Sequence, residues 1–127
     1  MLRLIGGTLA GIVVWIVLVS LIDRGVRFEW HDYAAVFKAM NFTPSMMAAR
    51  LSESAVSSLI AGYVAGLIGR GRWAPLLSGI ILLLFFIPIH YGLWHRFPIW
   101  YHLTFLSSLV VFSVAGGMFA RNNTSAA

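Results

Sequence analysis

Two ionisable residues lie three positions apart inside an apolar stretch of the sequence. Arg50 and Glu53 share one face of a helix at this spacing and can pair, and Ser57 follows Glu53 on that face by one turn. In apolar surroundings such side chains are costly unless they pair or line a wet cavity, and they often mark a site for protons, ions or a substrate. An ion pair that only orients its helix is the other interpretation. The sequence therefore predicts a polar site at Arg50, Glu53 and Ser57, which either binds a proton, an ion or a substrate or only orients its helix.

Two histidines bound a segment that is rich in aromatic residues. His90 and His102 lie near its ends, and residues 88–102 contain three of the four histidines in the chain. Imidazole nitrogens bind metal ions and haem iron, so these two residues are candidate ligands for a metal, a haem or a quinone. Two histidines without a third fixed ligand also suit hydrogen bonding to the turn or to lipid head groups. No cofactor is predicted outright, and haem or metal binding is the alternative.

The composition places both groups in a membrane protein. Hydrophobic residues make up 60% of the 127 residues and charged residues only 10%, whereas a soluble domain has about 25% charged residues. The lipid bilayer is therefore a predicted partner. The net charge of +5 comes from scattered basic residues near the ends of apolar runs, with no basic stripe that would track phosphates, so nucleic acid is excluded as a partner. The lack of cysteine excludes disulfides and thiolate metal sites.

Four apolar runs are long enough to cross about 30 Å of hydrocarbon. Thr43 and Pro44 suit the start of the second run, Gly71 suits the turn that follows it, and Pro88 predicts a kink or an end in the third. The predicted fold class is an all-α membrane protein, an antiparallel bundle of four transmembrane helices in a single domain. The spans cover approximately residues 4–22, 45–69, 73–94 and 98–120, and residues 121–127 form a predicted disordered tail.

The connection between the first two spans has an amphipathic pattern. Trp30, Tyr33 and Phe37 recur at helical spacing, while charged side chains fall on the other faces. This pattern predicts a short interfacial amphipathic helix at approximately residues 30–40, with its aromatic face resting on lipid. A lid or a docking segment is the alternative.

Small residues recur at four-residue spacing along the spans. Such residues let a second helix approach closely. They would pack helices within the chain, or they would join two copies of it into a homo-oligomer. The predicted helix-packing residues are Gly7, Gly11, Gly62, Gly66 and Gly117.

Both candidate sites fall in the same half of the predicted bundle. At 1.5 Å per residue, Glu53 lies about 12 Å inside the start of its span, and His90 and His102 lie about 6 Å inside the ends of theirs. Arg50, Glu53, His90 and His102 could therefore converge close to the aromatic segment. The sequence contains no phosphate loop, metalloprotease motif or nucleophile–base pair, so no catalytic residue is predicted.

Residues 88–94 (PIHYGLW) and 97–103 (FPIWYHL) resemble a signature of uncharacterised small four-helix bacterial inner-membrane proteins. The similarity extends over most of the chain, including the helix-starting proline before a Met-rich second span. It implies a location in the cell inner membrane and no particular activity. The small multidrug transporters are similar in size but carry an essential glutamate in the first span, where this sequence has none. We expect cytoplasmic termini, because Arg3 and the free amino group precede the first span while acids neutralise the facing loop.

Three classes of function fit the sequence. The first is a non-enzymatic accessory or scaffold subunit of a larger membrane complex, and it is the preferred one because the small-residue faces suit assembly. The second is a small oligomeric transporter or channel that uses Arg50 and Glu53. The third is a redox subunit that binds haem, metal or quinone through His90 and His102.

Overall fold

The computed structural model describes residues 1–39 and 41–126, and it places side chains as far as residue 122. Its helices are α1 (Leu2–Glu29), α2 (His31–Val36), α3 (Pro44–Gly69), α4 (Trp73–Gly92) and α5 (Ile99–Ala126). Four of them, α1, α3, α4 and the part of α5 up to Asn122, are long and apolar enough to cross a membrane. The predicted all-helical class with four apolar helices is therefore confirmed.

Two helices extend beyond their predicted ends. α1 continues past residue 22 to Glu29, and an ion pair between Arg27 Nε and Asp23 Oδ2 (3.1 Å) lies across the added turn. α5 continues to Ala126, where a disordered tail from residue 121 was expected. Neither glycine nor proline, the two residues least favourable in a helix, follows Gly117. The last residue of the expected tail, Ala127, lies outside the described part of the chain.

The boundaries of α3 and α4 follow local chemistry. The Thr43 side chain accepts a hydrogen bond from the Met46 amide (3.3 Å) and Pro44 begins α3, as the sequence predicts. At the other end of α3 the left-handed residue is Arg70 (φ 52°), not Gly71. Pro88 lies inside α4, which continues to Gly92. The proline removes one backbone hydrogen bond, and apolar helices tolerate this loss when neighbouring groups compensate for it.

Helix α3 is the centre of the bundle and packs against α1, α4 and α5. Two of the predicted packing glycines form its contact with α1. A side chain at Gly7 would come within 2.7 Å of the Ala65 carbonyl, and one at Gly11 would come within 3.0 Å of the Ala65 Cβ. Both glycines are buried, so this small-residue face is used inside the chain.

The remaining packing glycines join α3, α4 and α5. A Cβ at Gly62 would collide with the backbone carbonyl of Ser113. Gly66 lies against Gly117, and a Cβ on Gly117 would in turn collide with the ring of Pro75. The close approach of these helices therefore requires glycine at Gly62 and Gly117, whereas a Cβ at Gly66 would be tight, at 3.1 Å from the nearest atom.

Buried hydroxyl groups accompany the small residues. Trp15 Nε1 donates to Ser58 Oγ (3.0 Å), and Ser113 Oγ donates to the Pro75 carbonyl (2.7 Å). Ser54 and Ser108 are 3.5 Å apart across α3 and α5. These contacts satisfy polar groups that would otherwise be buried at a cost.

The connector packs against one end of the bundle. Helix α2 has six residues, fewer than the predicted interfacial helix at 30–40, of which residue 40 is not described. Tyr33 is fully buried and its ring lies 5.3 Å from that of Phe42, which itself stacks on Phe97 at 6.0 Å. Met46 and Met47 at the start of α3 belong to the same cluster. The central aromatic residue of the expected lipid-facing surface therefore faces the protein.

Candidate functional site

Arg50, near the start of α3, connects three other helices. Its Nε donates a hydrogen bond to Tyr101 Oη on α5 (3.0 Å), and its Nη1 donates to Tyr33 Oη on α2 (3.0 Å). The same Nη1 lies 4.0 Å from Asp23 Oδ1 on α1. We call Asp23, Tyr33, Arg50 and Tyr101 the Arg50 cluster.

Tyr33 relays the hydrogen bonding between the two charges of this cluster. Its hydroxyl donates to Asp23 Oδ1 (2.7 Å) while it accepts from Arg50. Burial, and then the hydrogen bond to Asp23, raise the pKa of Tyr33. Tyr33 therefore stays a neutral phenol that can donate and accept at once. Asp23 also pairs with Arg27, so its carboxylate contacts two guanidinium groups and one phenol.

Aromatic rings cover the guanidinium groups. Arg50 Cζ lies 4.7 Å from the ring centroid of Phe42, and Arg27 Cζ lies 4.3 Å from that of Phe37. Rings at this range stabilise a cation through their negative faces. The connector thus contributes Phe37 and Phe42, as well as Tyr33, to the environment of the site.

Glu53 is placed differently from the sequence prediction. Arg50 and Glu53 share a face of α3, but the expected ion pair does not form between them, since Arg50 is directed to Asp23 and the two tyrosines. Glu53 is only 6% exposed, and its Oε1 has no hydrogen-bond partner among the described residues. One turn further on, Ser57 Oγ is also buried without a partner. Among the described residues, the buried polar atoms on α3 without a hydrogen-bond partner are therefore a carboxylate oxygen and a hydroxyl, whereas Arg50 donates to two tyrosines.

A cavity of about 220 Å³ opens beside Glu53. Asp23, Arg50 and Glu53 supply its charged lining, and the rest is mainly apolar and aromatic. A mostly apolar cavity with a few convergent polar groups is the usual form of a small-molecule site. The other lining residues are Trp15, Val19, Ser20, Phe37, Phe86 and Phe105.

The two predicted histidines meet directly. His90 Nδ1 and His102 Nδ1 are 2.7 Å apart, and both residues are buried. Trp94 stacks on His102 with ring centroids 4.9 Å apart, and Phe105 lies 4.7 Å from His90. The ring of Tyr101, which accepts from Arg50, lies 5.9 Å from that of His90. The histidine pair (His90 and His102) and the Arg50 cluster are therefore neighbours, as the expected convergence predicts.

The geometry of the histidine pair requires complementary protonation. Two bare Nδ1 atoms would repel at this distance, so one Nδ1 must carry the proton and the other must accept it. His102 Nε2 is buried without a partner, and a proton there would be an unsatisfied donor. The structure therefore favours His102 as the Nδ1 donor and His90 as the acceptor with its own proton on Nε2.

Nitrogen NMR of the labelled protein in detergent tests this assignment. When both rings are neutral, we expect the His102 proton on Nδ1 and the His90 proton on Nε2, with a coupling across the shared hydrogen bond. The exposed His95 serves as an internal reference for an imidazole in water. Protons on Nε2 of both rings would contradict the assignment.

The histidine pair does not fit a resident metal or haem as it stands. Metal–imidazole bonds of about 2.0–2.1 Å would force an angle of about 80° at a metal bridging two nitrogens 2.7 Å apart. Within residues 1–39 and 41–126, no group of three His, Asp or Glu side chains could complete such a site. Metal ligation would require the two rings to separate.

Sequence reasoning missed three members of the Arg50 cluster. Asp23 was placed at the end of the first span, but it lies inside α1, and the four-residue spacing of Asp23 and Arg27 was the available signal. The pattern of the connector predicts that Tyr33 rests on lipid, and Tyr101 lies in the aromatic segment without a predicted role of its own, yet both are buried. Nothing in the spacing of residues 33, 50 and 101 indicates that they meet. Comparison with family models, with curated proteins and with solved structures finds no match.

Proposed function

We propose that the chain crosses a bacterial inner membrane four times, with antiparallel helices, both termini in the cytoplasm and the α2 connector at the membrane boundary. Outward-facing apolar side chains support the crossings, for example Phe85 at 65% and Val111 at 60% exposure. Gly7 near the start of α1 packs on the end of α3, and Asp23 lies close to Arg50 at the opposite ends of the same helices, which supports the antiparallel arrangement. The resemblance of residues 88–103 supports the bacterial origin.

In this setting we propose that the protein is a small transporter that binds a cation through Glu53. The observation that carries the proposal is the buried Oε1 of Glu53, which lies beside a cavity and has no hydrogen-bond partner in the part of the chain that the structure describes. Leaving a carboxylate oxygen buried without a donor is costly. A proton would supply the missing donor, whereas an organic cation would neutralise the carboxylate, and the surrounding rings would favour its positive charge. Exchange of a cation for a proton at one carboxylate is the simplest transport cycle that uses these features.

The other two interpretations have weaker support. The accessory or scaffold interpretation depends on the glycine rows, which are buried in contacts within the chain. Larger partners or further copies would have to bind through other surfaces. The redox interpretation depends on His90 and His102, whose geometry favours a shared proton over a metal. We therefore prefer transport to the accessory role, which the sequence alone favours.

Uptake of benzyltrimethylammonium into proteoliposomes with an acidic interior tests the proposal. This quaternary ammonium ion has no N–H proton to lose, so it cannot cross lipid as a neutral base. We expect uptake by the wild-type protein and background uptake by Glu53→Gln, because the amide keeps the shape but loses the charge. Glu53→Asp retains a carboxylate and should keep part of the uptake.

Ser52→Ala is the matched control, since Ser52 is exposed and adjacent to Glu53. It should transport as the wild type does. Full uptake by Glu53→Gln would show that transport does not require the Glu53 carboxylate. Uptake by the wild-type protein no faster than in protein-free liposomes would overturn the transport proposal.

A further inference from the structure

A second cavity adjoins the Glu53 cavity on the side of α4. It has a volume of about 330 Å³ and lies between α1 and α4. The lining side chains are apolar or aromatic, among them Ile12, Ile16, Ile81 and Phe85. We call this cavity the apolar groove. It has no group that would bind a polar solute.

The apolar groove and the Glu53 cavity are direct neighbours. Trp15, Val19 and Phe86 line both of them. Along α1 the lining runs from Ile12 through Trp15 and Val19 to Asp23, which are three or four residues apart and so follow one face of the helix. One ligand could therefore occupy both spaces, with an apolar part between α1 and α4 and a polar part beside Glu53.

From this shared lining we propose that the solute is a single-chain amphiphile, with an ammonium head group at Glu53 and an alkyl chain in the apolar groove. The inference rests on the proposed function and names its substrate class. The distance from Ile12 to Asp23 along α1 is about 16 Å. An extended chain advances about 1.2 Å per covalent bond, so this length accommodates about 12 to 14 carbons.

The charges beside the cavity favour a cationic head group over an anionic one. The lining contains two carboxylates, Asp23 and Glu53, against one guanidinium, that of Arg50, and two of the donors of Arg50 are already bonded to tyrosines. The acceptor that lacks a partner is Glu53 Oε1. A phosphate or carboxylate head group would face this oxygen without a donor to offer it. A quaternary or protonated ammonium group would instead neutralise its charge.

The chain would gain little from hydrophobicity alone, because lipid tails are as apolar as the groove. Its contribution is contact with the rings of Trp15, Phe85 and Phe86, together with orientation of the head group. Steric filling of the groove is therefore a more direct test than a change in its polarity.

Two neighbouring residues of α1 provide a matched pair for such a test. Ile16 lines the groove and is 51% exposed, while Val17 is 48% exposed and does not line it. In nanodiscs, we expect Ile16→Trp to weaken binding of dodecyltrimethylammonium about tenfold. Val17→Trp should leave that binding unchanged, and neither variant should alter binding of benzyltrimethylammonium. Dodecyl sulfate, which has the same chain and an anionic head, should not compete.

Each outcome bears on one of the two proposals. Equal affinity for dodecyltrimethylammonium in Ile16→Trp and Val17→Trp would mean that the groove holds bilayer lipid only, which would overturn this inference. Competition by dodecyl sulfate would overturn the cationic head group. If benzyltrimethylammonium binds and depends on Glu53 while chain length has no effect, the inference fails and the proposed function stands. If neither cation binds, the proposed function fails.

Discussion

Replacing Arg50 by methionine is expected to lower the free energy of unfolding by about 3–5 kcal/mol, the usual effect of removing one partner from a buried charge pair. Its side chain is 22% exposed, so solvent screens it only partly. Methionine keeps an unbranched apolar chain but removes the hydrogen bonds to Tyr33 and Tyr101. The Asp23 carboxylate would also lose one of its two cations. The loss is measurable by denaturant unfolding in mixed micelles.

The control for this substitution is Arg24→Met on α1. Arg24 is exposed, and its removal should change the free energy of unfolding by less than about 0.5 kcal/mol. Arg50→Lys should fall between the two, because an ammonium group keeps the charge but cannot reproduce the directed fork of donors to two tyrosines. If Arg50→Met unfolds at the same denaturant concentration as the control, the Arg50 cluster does not hold the helices together.

Gly62→Ala is expected to destabilise the protein by about 1–3 kcal/mol or more, the range for overpacking a close contact. The added methyl group would collide with the Ser113 carbonyl, which is backbone and cannot rotate away. Helices α3 and α5 would have to separate along their contact, and the hydrogen-bonding distance between Ser54 and Ser108 would increase. The same unfolding measurement reports the effect.

Gly25→Ala is the matched comparison. Gly25 also lies inside a long helix, α1, but no atom would come within 4 Å of an added Cβ. Alanine is the better helix former by about 1 kcal/mol, so this variant should be as stable as the wild type or more so. If Gly62→Ala were as stable as Gly25→Ala, helix propensity, and not the contact between α3 and α5, would govern both positions.

The site residues show how far sequence reasoning extends. Arg50, Glu53, Ser57, His90 and His102 stand out because each is polar within an apolar run, and three of them hold a buried polar atom with no partner. The contacts that these side chains make were harder to predict from the sequence. Arg50 was paired with its neighbour in sequence, Glu53, whereas its hydrogen bonds go to residues 17 and 51 positions away.

What the sequence by itself determined is the local structure: an all-helical chain with four apolar helices, the cap at Thr43, and the small residues along α1, α3 and α5. Hydropathy and capping depend on residues within a turn or two of one another, so both can be predicted from neighbouring residues in the sequence. Only the tertiary structure decided which polar side chains meet. Rotation of a helix by one residue moves its side chains by about 100°, and neither rotation nor crossing is encoded in spacing. The contact of Tyr101 with Arg50, and that of His90 with His102, depend on the close packing at Gly62 and Gly117, which sets how α3, α4 and α5 face one another. The contact of Asp23 with Arg50 depends on the close packing of α1 on α3 at Gly7 and Gly11.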